Sequence, residues 1–223
     1  MSTINDVKTE IRLITQKLSS KTLLRITNYP ELFNNEIRWN RYSGISFELK
    51  QDSYSDIYSQ ILNDWNFNFV LLDWWIIQLQ YSFDNRWDKL ISHRLTYYPD
   101  IYGVQLWENP EEYEENIFGL RTYGDLCYKE NVSTPIRFDY SSNIGSYVEH
   151  LHSKSHLSLG WYKSCRITNS GPISPNQFIL FILKSFYLEK YIEYDLWKMF
   201  ETKIFFPESI SANEKKYTHI FLR

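Results

Sequence analysis

The residues of this sequence best suited to acid–base or ligand chemistry lie between positions 136 and 171. Three of the five histidines fall within seven residues there, among arginines and carboxylates. The segment holds Arg137, Asp139, Glu149, His150, His152, His156 and Arg166. Histidine titrates near neutral pH, transfers protons and binds metals, so the cluster indicates an acid–base or metal site. Hydrogen-bonding histidines on an ordinary loop are the alternative.

The spacing of His152 and His156 leaves three geometries open. On an extended strand they share a face but lie about 13 Å apart, too far to bind one metal. On a helix the same spacing brings them within about 6 Å, which suits a pair of metal ligands. The turn-like Ser153 and Ser155 between them also allow a tight bend. His150, two residues before His152, shares its face on a strand, where the two could chelate a metal.

Arg137 and Asp139 point to the same side of a predicted strand because one residue separates them. They form either a structural ion pair or an aspartate placed near the histidines for general-base or metal chemistry. Arg94 alternates with Leu95, so it can reach the same polar face. The arginine guanidinium binds phosphate through two parallel donors. Arginines, carboxylates and histidines together on adjoining strands predict a site that binds a phosphodiester.

These observations define the candidate site. The predicted catalytic residues are His156, His152, Asp139, Arg137, Arg94 and Arg166. The cofactor stays open: a divalent metal is one option, with His152, His156 and Asp139 as its candidate ligands. Asp73 and Gln78 interrupt an apolar stretch and are candidate binding residues, although Asp73 equally suits a hairpin turn.

The composition narrows the function classes. No P-loop, dinucleotide glycine fingerprint, His-Glu-x-x-His or Gly-x-Ser-x-Gly motif occurs, which disfavours P-loop nucleotide hydrolysis and serine hydrolase chemistry. A formal net charge of -3 gives no global basic footprint for nucleic acid, so such a partner needs a local groove. The chain has two cysteines, too few for a disulfide framework.

Hydrophobic periodicity predicts the elements that position these residues. An apolar stripe predicts an amphipathic helix over 3–24, formed by Ile4, Val7, Ile11, Ile14 and Leu18. Alternation predicts a strand over 45–49, and further strands are expected over 67–72, 75–83, 92–98, 136–140 and 157–167. Helical spacing returns over 54–65, and Pro110 followed by glutamates predicts a short acidic helix over 109–118. Ser174 and Pro175 open a helix that is apolar nearly all round, so it is expected to be buried. The fold class predicted is α+β: an antiparallel meander sheet packed against the N-terminal amphipathic helix and a buried apolar helix near 175–190.

The 223 residues, 43% of them hydrophobic, predict one folded domain spanning 1–223. Within it we distinguish an N-terminal helical part to about residue 65, a motif-bearing core over 67–190 and a C-terminal extension over 191–223. The N-terminus has no apolar signal region, and the longest apolar stretch is far shorter than the roughly 20 residues of a membrane helix. We therefore expect a cytoplasmic protein without membrane association.

The candidate site residues resemble the pattern of a bacterial domain-of-unknown-function family, number 2290. The matching residues occur in the same order over about 67–190. They are Asp73, Gln78, Tyr81, His93, Arg94, Leu95, Tyr98, Pro99, Arg137, Phe138, Asp139, Tyr140, His152, Ser155, His156, Leu157, Gly160, Cys165, Arg166, Ile167, Pro172, Pro175, Phe181, Ile182, Leu183, Phe186 and Tyr187. The chain departs from the pattern at Ser153 and Thr168, where the family has proline, and both changes are expected to loosen the local backbone.

The resemblance implies a bacterial or prophage setting and, in some loci, a neighbouring helicase in a two-gene antiphage defence system. It brings no established activity with it. Two functions follow as hypotheses. The first is a nuclease or other phosphodiester-cleaving effector that acts with the helicase, the histidines serving as acid–base groups or metal ligands and the arginines holding phosphates. The second is a non-catalytic adaptor or sensor that binds the helicase or a phage component through an aromatic surface. A helicase is thus the expected partner, with nucleic acid as a further one.

Overall fold

The computed structural model describes residues 2–40, 54–100, 134–143, 145, 147–160, 165–201 and 203–222. The described strands are β1 (Leu24–Thr27), β2 (Pro30–Phe33), β3 (Glu36–Trp39), β4 (Phe69–Leu71), β5 (Ile76–Phe83), β6 (Leu90–Tyr98), β7 (Ile136–Ser141), β8 (Ser155–Leu159) and β9 (Arg166–Thr168). The described helices are α1 (Ile4–Ser20), α2 (Tyr54–Asn63), α3 (Pro175–Phe186), α4 (Leu188–Glu193) and α5 (Leu196–Met199), followed by a 3-10 turn (Glu214–Lys216). In this part of the chain, none of the helices is long and apolar enough to cross a bilayer. The segments expected at 45–49 and 109–118 lie outside the described residues.

The strands form one sheet in the order β1-β4-β5-β6-β7-β8-β9, and the β2–β3 hairpin joins it where β3 pairs with β5. Each of these strand pairs is antiparallel. From β4 to β9, strands that follow one another along the chain are neighbours in space. The predicted antiparallel meander is therefore confirmed, and it positions the site.

Helix α1 confirms the predicted amphipathic helix. It starts with a capping box, in which the Thr3 hydroxyl accepts from the Asp6 N–H and the Asp6 carboxylate accepts from the Thr3 N–H. The five stripe residues are buried in the main core, which they share with the inward side chains of β5 to β8. The helix therefore covers one face of the sheet.

Helix α3 confirms the predicted buried helix. Ser174 caps it, Pro175 occupies the first turn and Gln177 completes a capping box. Its apolar side pairs with the sheet through Phe138 on β7, whose ring meets the rings of Phe178 and Phe181 edge-on at 6.1 and 5.4 Å. The apolar run divides into α3 and α4 at Tyr187.

The opposite face of the sheet has two parts. At one end α2 buries Ile57, Tyr58 and Ile61 in a second, smaller core against Ile76 and Tyr98. Beyond that core the same face carries polar side chains, because Gln78 and Gln80 follow Ile76 at two-residue steps along β5. Among the described residues, helices thus cover one face of the sheet and polar side chains occupy much of the other.

Two features of the fold differ from the secondary structure that hydrophobic periodicity predicts. The segment 157–167 is not a single strand: β8 ends before Gly160, whose φ of 62° glycine adopts readily, and β9 returns to pair Leu157 with Ile167. Strands β1, β2 and β3 also lie in the part expected to be helical up to about residue 65. Each has four residues, too few for an alternating pattern to stand out.

Glu10 links α1 to α3. Its carboxylate accepts a hydrogen bond from the Asn176 N–H at 2.8 Å, at the first turn of α3. Burial raises the pKa of Glu10 to about 7, against the opposing effect of the Asn176 hydrogen bond. Between its usual pKa of 4.5 and about 7, the folded protein therefore holds a proton that the unfolded chain has released.

We expect the contribution of Glu10 to stability to fall as the pH rises through that window, by on the order of 3 kcal/mol in all. Glu10→Gln cannot titrate, so the variant should gain stability relative to the wild type between about pH 5 and pH 8. Urea denaturation of both proteins at several pH values measures this difference. A stability difference between the two proteins that does not change with pH would contradict a raised pKa for Glu10.

Candidate functional site

The register of β5 to β9 lines up polar side chains in rows across the polar face of the sheet. One row joins Gln80, Arg94, Asp139, His156 and Thr168. The next joins Gln78, Thr96, Arg137, Ser158 and Arg166. Residues far apart in sequence become neighbours in this way, since partners directly opposite on antiparallel strands lie about 5 Å apart.

A cavity of about 540 Å³ opens on this polar face. Its walls carry four permanently cationic side chains, Arg94, Arg137, Lys154 and Arg166. Two carboxylates, those of Glu36 and Asp139, and three histidines, His93, His152 and His156, also line it. The chain as a whole is acidic, so this local excess of positive charge favours an anionic ligand.

Asp139 lies at the centre of the cationic group. Its Oδ2 accepts from Arg137 Nε at 2.6 Å, and its Oδ1 accepts from Arg94 Nε at 3.2 Å. Burial would raise the pKa of Asp139, but Arg137 and Arg94 outweigh it and the pKa is lowered. The aspartate is therefore ionised and engaged at both oxygens, which suits a residue that orients arginines better than a general base.

His156 projects from β8 with its two ring nitrogens in different surroundings. Nδ1 lies 3.0 Å from the Ser153 carbonyl oxygen, which can only accept, so Nδ1 carries hydrogen. Nε2 is 3.8 Å from Asp139 Oδ2. Burial lowers the pKa of His156, although Asp139 opposes this effect. The imidazole is thus neutral at pH 7 with the Nε2 lone pair on the Asp139 side.

A tight bend brings His152 to His156. The chain bends at Lys154, between the two histidines, after a turn in which Val148 and His152 form a bridge and His150 takes a left-handed conformation with φ 65°. The His152 and His156 rings meet edge-on with centroids 5.2 Å apart. Of the three geometries left open by the spacing, the bend is the one observed. His150 packs instead on Tyr217, with ring centroids 4.8 Å apart, away from the cavity lining.

The donor groups do not form a ready metal site within the described ranges. No group of three or more His, Cys, Asp or Glu side chains there is arranged to hold a metal ion. His152, His156 and Asp139 are close together, but the carboxylate oxygens face Arg94 and Arg137. The neighbouring guanidinium charges make this position unfavourable for a cation.

Two predicted binding residues have structural partners instead. Asp73 is buried in the turn between β4 and β5, where it accepts from the Tyr187 hydroxyl at 2.8 Å and from the Trp75 N–H at 3.4 Å. The Gln78 side chain, also buried, donates to the Asn66 carbonyl. Neither lines the cavity, whereas Gln80, the next residue on the same face of β5, does. Asp73 thus serves the turn.

The loop that carries the histidines is tied to the C-terminal segment. Ser153 Oγ donates to Glu214 Oε1 at 2.6 Å and lies 2.7 Å from Thr168 Oγ1. Glu214 is 2% exposed and also accepts from the Ser211 N–H. The two positions that depart from the family pattern, 153 and 168, are therefore bonded to each other, and they join the loop to β9 and the 3-10 turn.

Sequence reasoning missed Glu214, Lys154 and Gln80 as parts of this site. Glu214 precedes Lys215 and Lys216, a pair typical of a solvated turn, and no motif marks it. The only sequence signal for Gln80 was its polar character within an apolar strand. Lys154 looked like part of an ordinary turn.

Glu214→Ala is expected to lower the free energy of unfolding by about 1–3 kcal/mol, because the buried Ser153 hydroxyl and the Ser211 N–H lose their acceptor. Glu208→Ala, which removes a half-exposed carboxylate paired with Lys215, is the matched control and should cost under about 1 kcal/mol. Equilibrium denaturation measures both. Equal losses for the two variants would show that Glu214 does not anchor the loop.

The comparison with known proteins identifies the family of this chain. A family model described as "Uncharacterized conserved protein (DUF2290)" matches residues 23–222, which include every candidate site residue. No curated protein and no solved structure matches the chain. The match covers most of the chain and all of the described sheet. The chain therefore belongs to the DUF2290 family.

Proposed function

We propose that this protein is a phosphodiester-cleaving effector of the nuclease class, acting with a helicase in a bacterial antiphage defence system. The observation that carries the proposal is the cavity in which four cationic side chains surround two imidazoles in contact. Cationic side chains bind phosphate, and imidazoles transfer protons at neutral pH. The proposal of a helicase partner is supported only by the family resemblance.

The arginines supply the phosphate-binding part of the proposal. Arg94 and Arg137 are held side by side by Asp139, so their guanidinium groups are already oriented before a ligand arrives. Each guanidinium has five N–H donors, and the bond from Nε to Asp139 uses one of them. Arg166, exposed at the cavity wall, adds a third guanidinium. A phosphate between these side chains would receive charge-assisted hydrogen bonds.

The histidines supply the acid–base part. His156 presents an unprotonated Nε2 at neutral pH, which can accept a proton from an attacking group. His152 is half-buried on the cavity wall beside it and can donate a proton to the leaving oxygen. Removal of a positioned acid or base lowers the rate by about 10²–10⁴-fold.

The test is cleavage of single- and double-stranded DNA and RNA, with magnesium or manganese and with the neighbouring helicase present. We expect cleavage by the wild type, its loss in His152→Ala and His156→Ala, and its retention in His219→Ala. His219 lies outside the cavity lining and controls for the loss of an imidazole. Melting temperatures establish that each variant is folded. Cleavage that survives in folded His156→Ala would remove that residue from the site.

A non-catalytic adaptor is the second candidate function. The observation that favours it is the burial of His156, 5% exposed, and its bond to Ser153, as in a structural polar network. An adaptor predicts that His156→Ala lowers the melting temperature substantially and that no nucleic acid is cleaved by the wild type. Calorimetric titration of the helicase into the protein would then measure the interaction.

A further inference from the structure

The proposed function leaves the class of nucleic acid open, and the arrangement of the two imidazoles bears on it. A phosphodiester in DNA has no internal nucleophile and must be attacked by water, which nucleases commonly activate with metal ions. A phosphodiester in RNA has a neighbouring 2′-hydroxyl, which needs only the removal of its proton. A site with one proton acceptor and one proton donor beside a cationic wall is sufficient for the second reaction.

The acceptor is defined by hydrogen bonding. The Ser153 carbonyl fixes the hydrogen of His156 on Nδ1, which leaves Nε2 as the basic nitrogen. The neighbouring imidazole is that of His152, whose ring centroid lies 5.2 Å from that of His156. Both line the same cavity, so both are within reach of a single phosphate group.

The carboxylates of the cavity are paired with arginines. Asp139 faces Arg94 and Arg137, and Glu36 lies 3.7 Å from Arg38. Two-metal phosphodiester chemistry depends on carboxylates that are free to coordinate cations. Asp139 instead holds Arg94 and Arg137, two cationic groups of the cavity that can stabilise a negatively charged transition state.

The walls also suit an unpaired strand. Tyr147 lines the cavity and is half-buried, so part of this side chain is accessible to a ligand. Unpaired bases stack on aromatic side chains, and such stacking is the usual means by which proteins hold single-stranded RNA. Lys154 lies over the Tyr147 ring at 5.6 Å, which places a positive charge beside that platform.

We propose that the substrate of this cavity is single-stranded RNA, cleaved by attack of its own 2′-hydroxyl on the adjacent phosphorus; this inference rests on the proposed function. His156 Nε2 takes the proton of the 2′-hydroxyl as the 2′-oxygen bonds to phosphorus. The bond from phosphorus to the 5′-oxygen breaks, and that oxygen receives a proton from protonated His152. The products are a 2′,3′-cyclic phosphate and a 5′-hydroxyl, and proton exchange with water restores both imidazoles.

The experiment uses the full chain, with and without the helicase, and three oligonucleotides of one sequence: all-ribose, all-deoxyribose and ribose with a single 2′-deoxy substitution at the cleaved position. Excess EDTA is present in one arm and magnesium or manganese in the other. We expect the all-ribose strand alone to be cut at that position, at the same rate with EDTA, leaving a cyclic phosphate identified by mass. His152→Ala and His156→Ala should each slow cleavage by about 100-fold or more, and His219→Ala should not.

The comparison of the three oligonucleotides uses only the wild-type protein, so it tests the role of the 2′-hydroxyl even if a variant fails to fold. Cleavage of the deoxyribose strand, cleavage abolished by EDTA, or a linear phosphate end would overturn the inference while leaving phosphodiester cleavage in place. Failure to cut any of these strands in either arm would overturn the inference, and failure to cut the double-stranded DNA and RNA substrates as well would overturn the proposed function.

Discussion

Replacing Asp139 with asparagine is expected to weaken the fold and strengthen the binding of a polyanion at the same time. The carboxylate holds Arg137 at 2.6 Å and Arg94 at 3.2 Å, and an amide cannot replace either ion pair. The Asp139 and Arg137 side chains are 15% and 26% exposed, whereas Arg94 is 54% exposed and screened by water. We expect a loss of about 2 kcal/mol in the free energy of unfolding, mostly from Arg137.

The same substitution removes a negative charge from the wall of an anion site. A phosphate would no longer compete with the carboxylate for the guanidinium groups, so affinity for a single-stranded oligonucleotide should rise about tenfold or more. Denaturation measures the loss of stability, and fluorescence anisotropy at about 0.1 M salt measures the gain in affinity for the oligonucleotide. Asp88→Asn makes the same charge change at an exposed position outside the cavity and should alter neither quantity. Unchanged affinity in Asp139→Asn would contradict an anion site centred on these arginines, and weaker binding would show that their orientation by Asp139 outweighs the removed charge.

Phe138→Ala is expected to cause the largest loss of stability of any single change considered, about 3–5 kcal/mol. Phe138 is 1% exposed and packs between the sheet and α3, against the rings of Phe178 and Phe181. Removing it leaves a cavity behind the strand that carries Arg137 and Asp139. Urea denaturation gives the loss directly.

The matched control is Phe205→Ala, which removes the same ring from a position that is 62% exposed. It should change stability by no more than about 0.5 kcal/mol. Similar losses for the two variants would mean that α3 does not depend on Phe138 for its docking on the sheet.

Periodicity and capping residues were sufficient to predict the helices that close one face of the sheet. The stripe from Ile4 to Leu18 and the Ser174–Pro175 start depend only on local spacing and local hydrogen bonds, which the sequence displays directly. Two-residue alternation also placed Arg137 and Asp139 on one side of β7. These features are local, and a single sequence contains the information for them.

The sequence could not show which residues of different strands face each other. That Asp139 lies opposite both Arg94 and His156 depends on the register of β6, β7 and β8, which the packing of their apolar sides determines. Glu214 reaches Ser153 across 61 residues of chain, so no spacing rule connects the two. Gln78 was predicted to bind a ligand because of its polar type, but its side-chain amide donates to the Asn66 carbonyl in the structure.

The hydrogen bond between Ser153 and Thr168 has an evolutionary consequence. A proline at either position has no hydroxyl, so a relative that keeps both prolines of the family pattern offers Glu214 no donor from this pair. A buried carboxylate without that donor is costly, and selection should replace it. Substitutions at positions 153, 168 and 214 should therefore covary among relatives, although the three are widely separated in sequence.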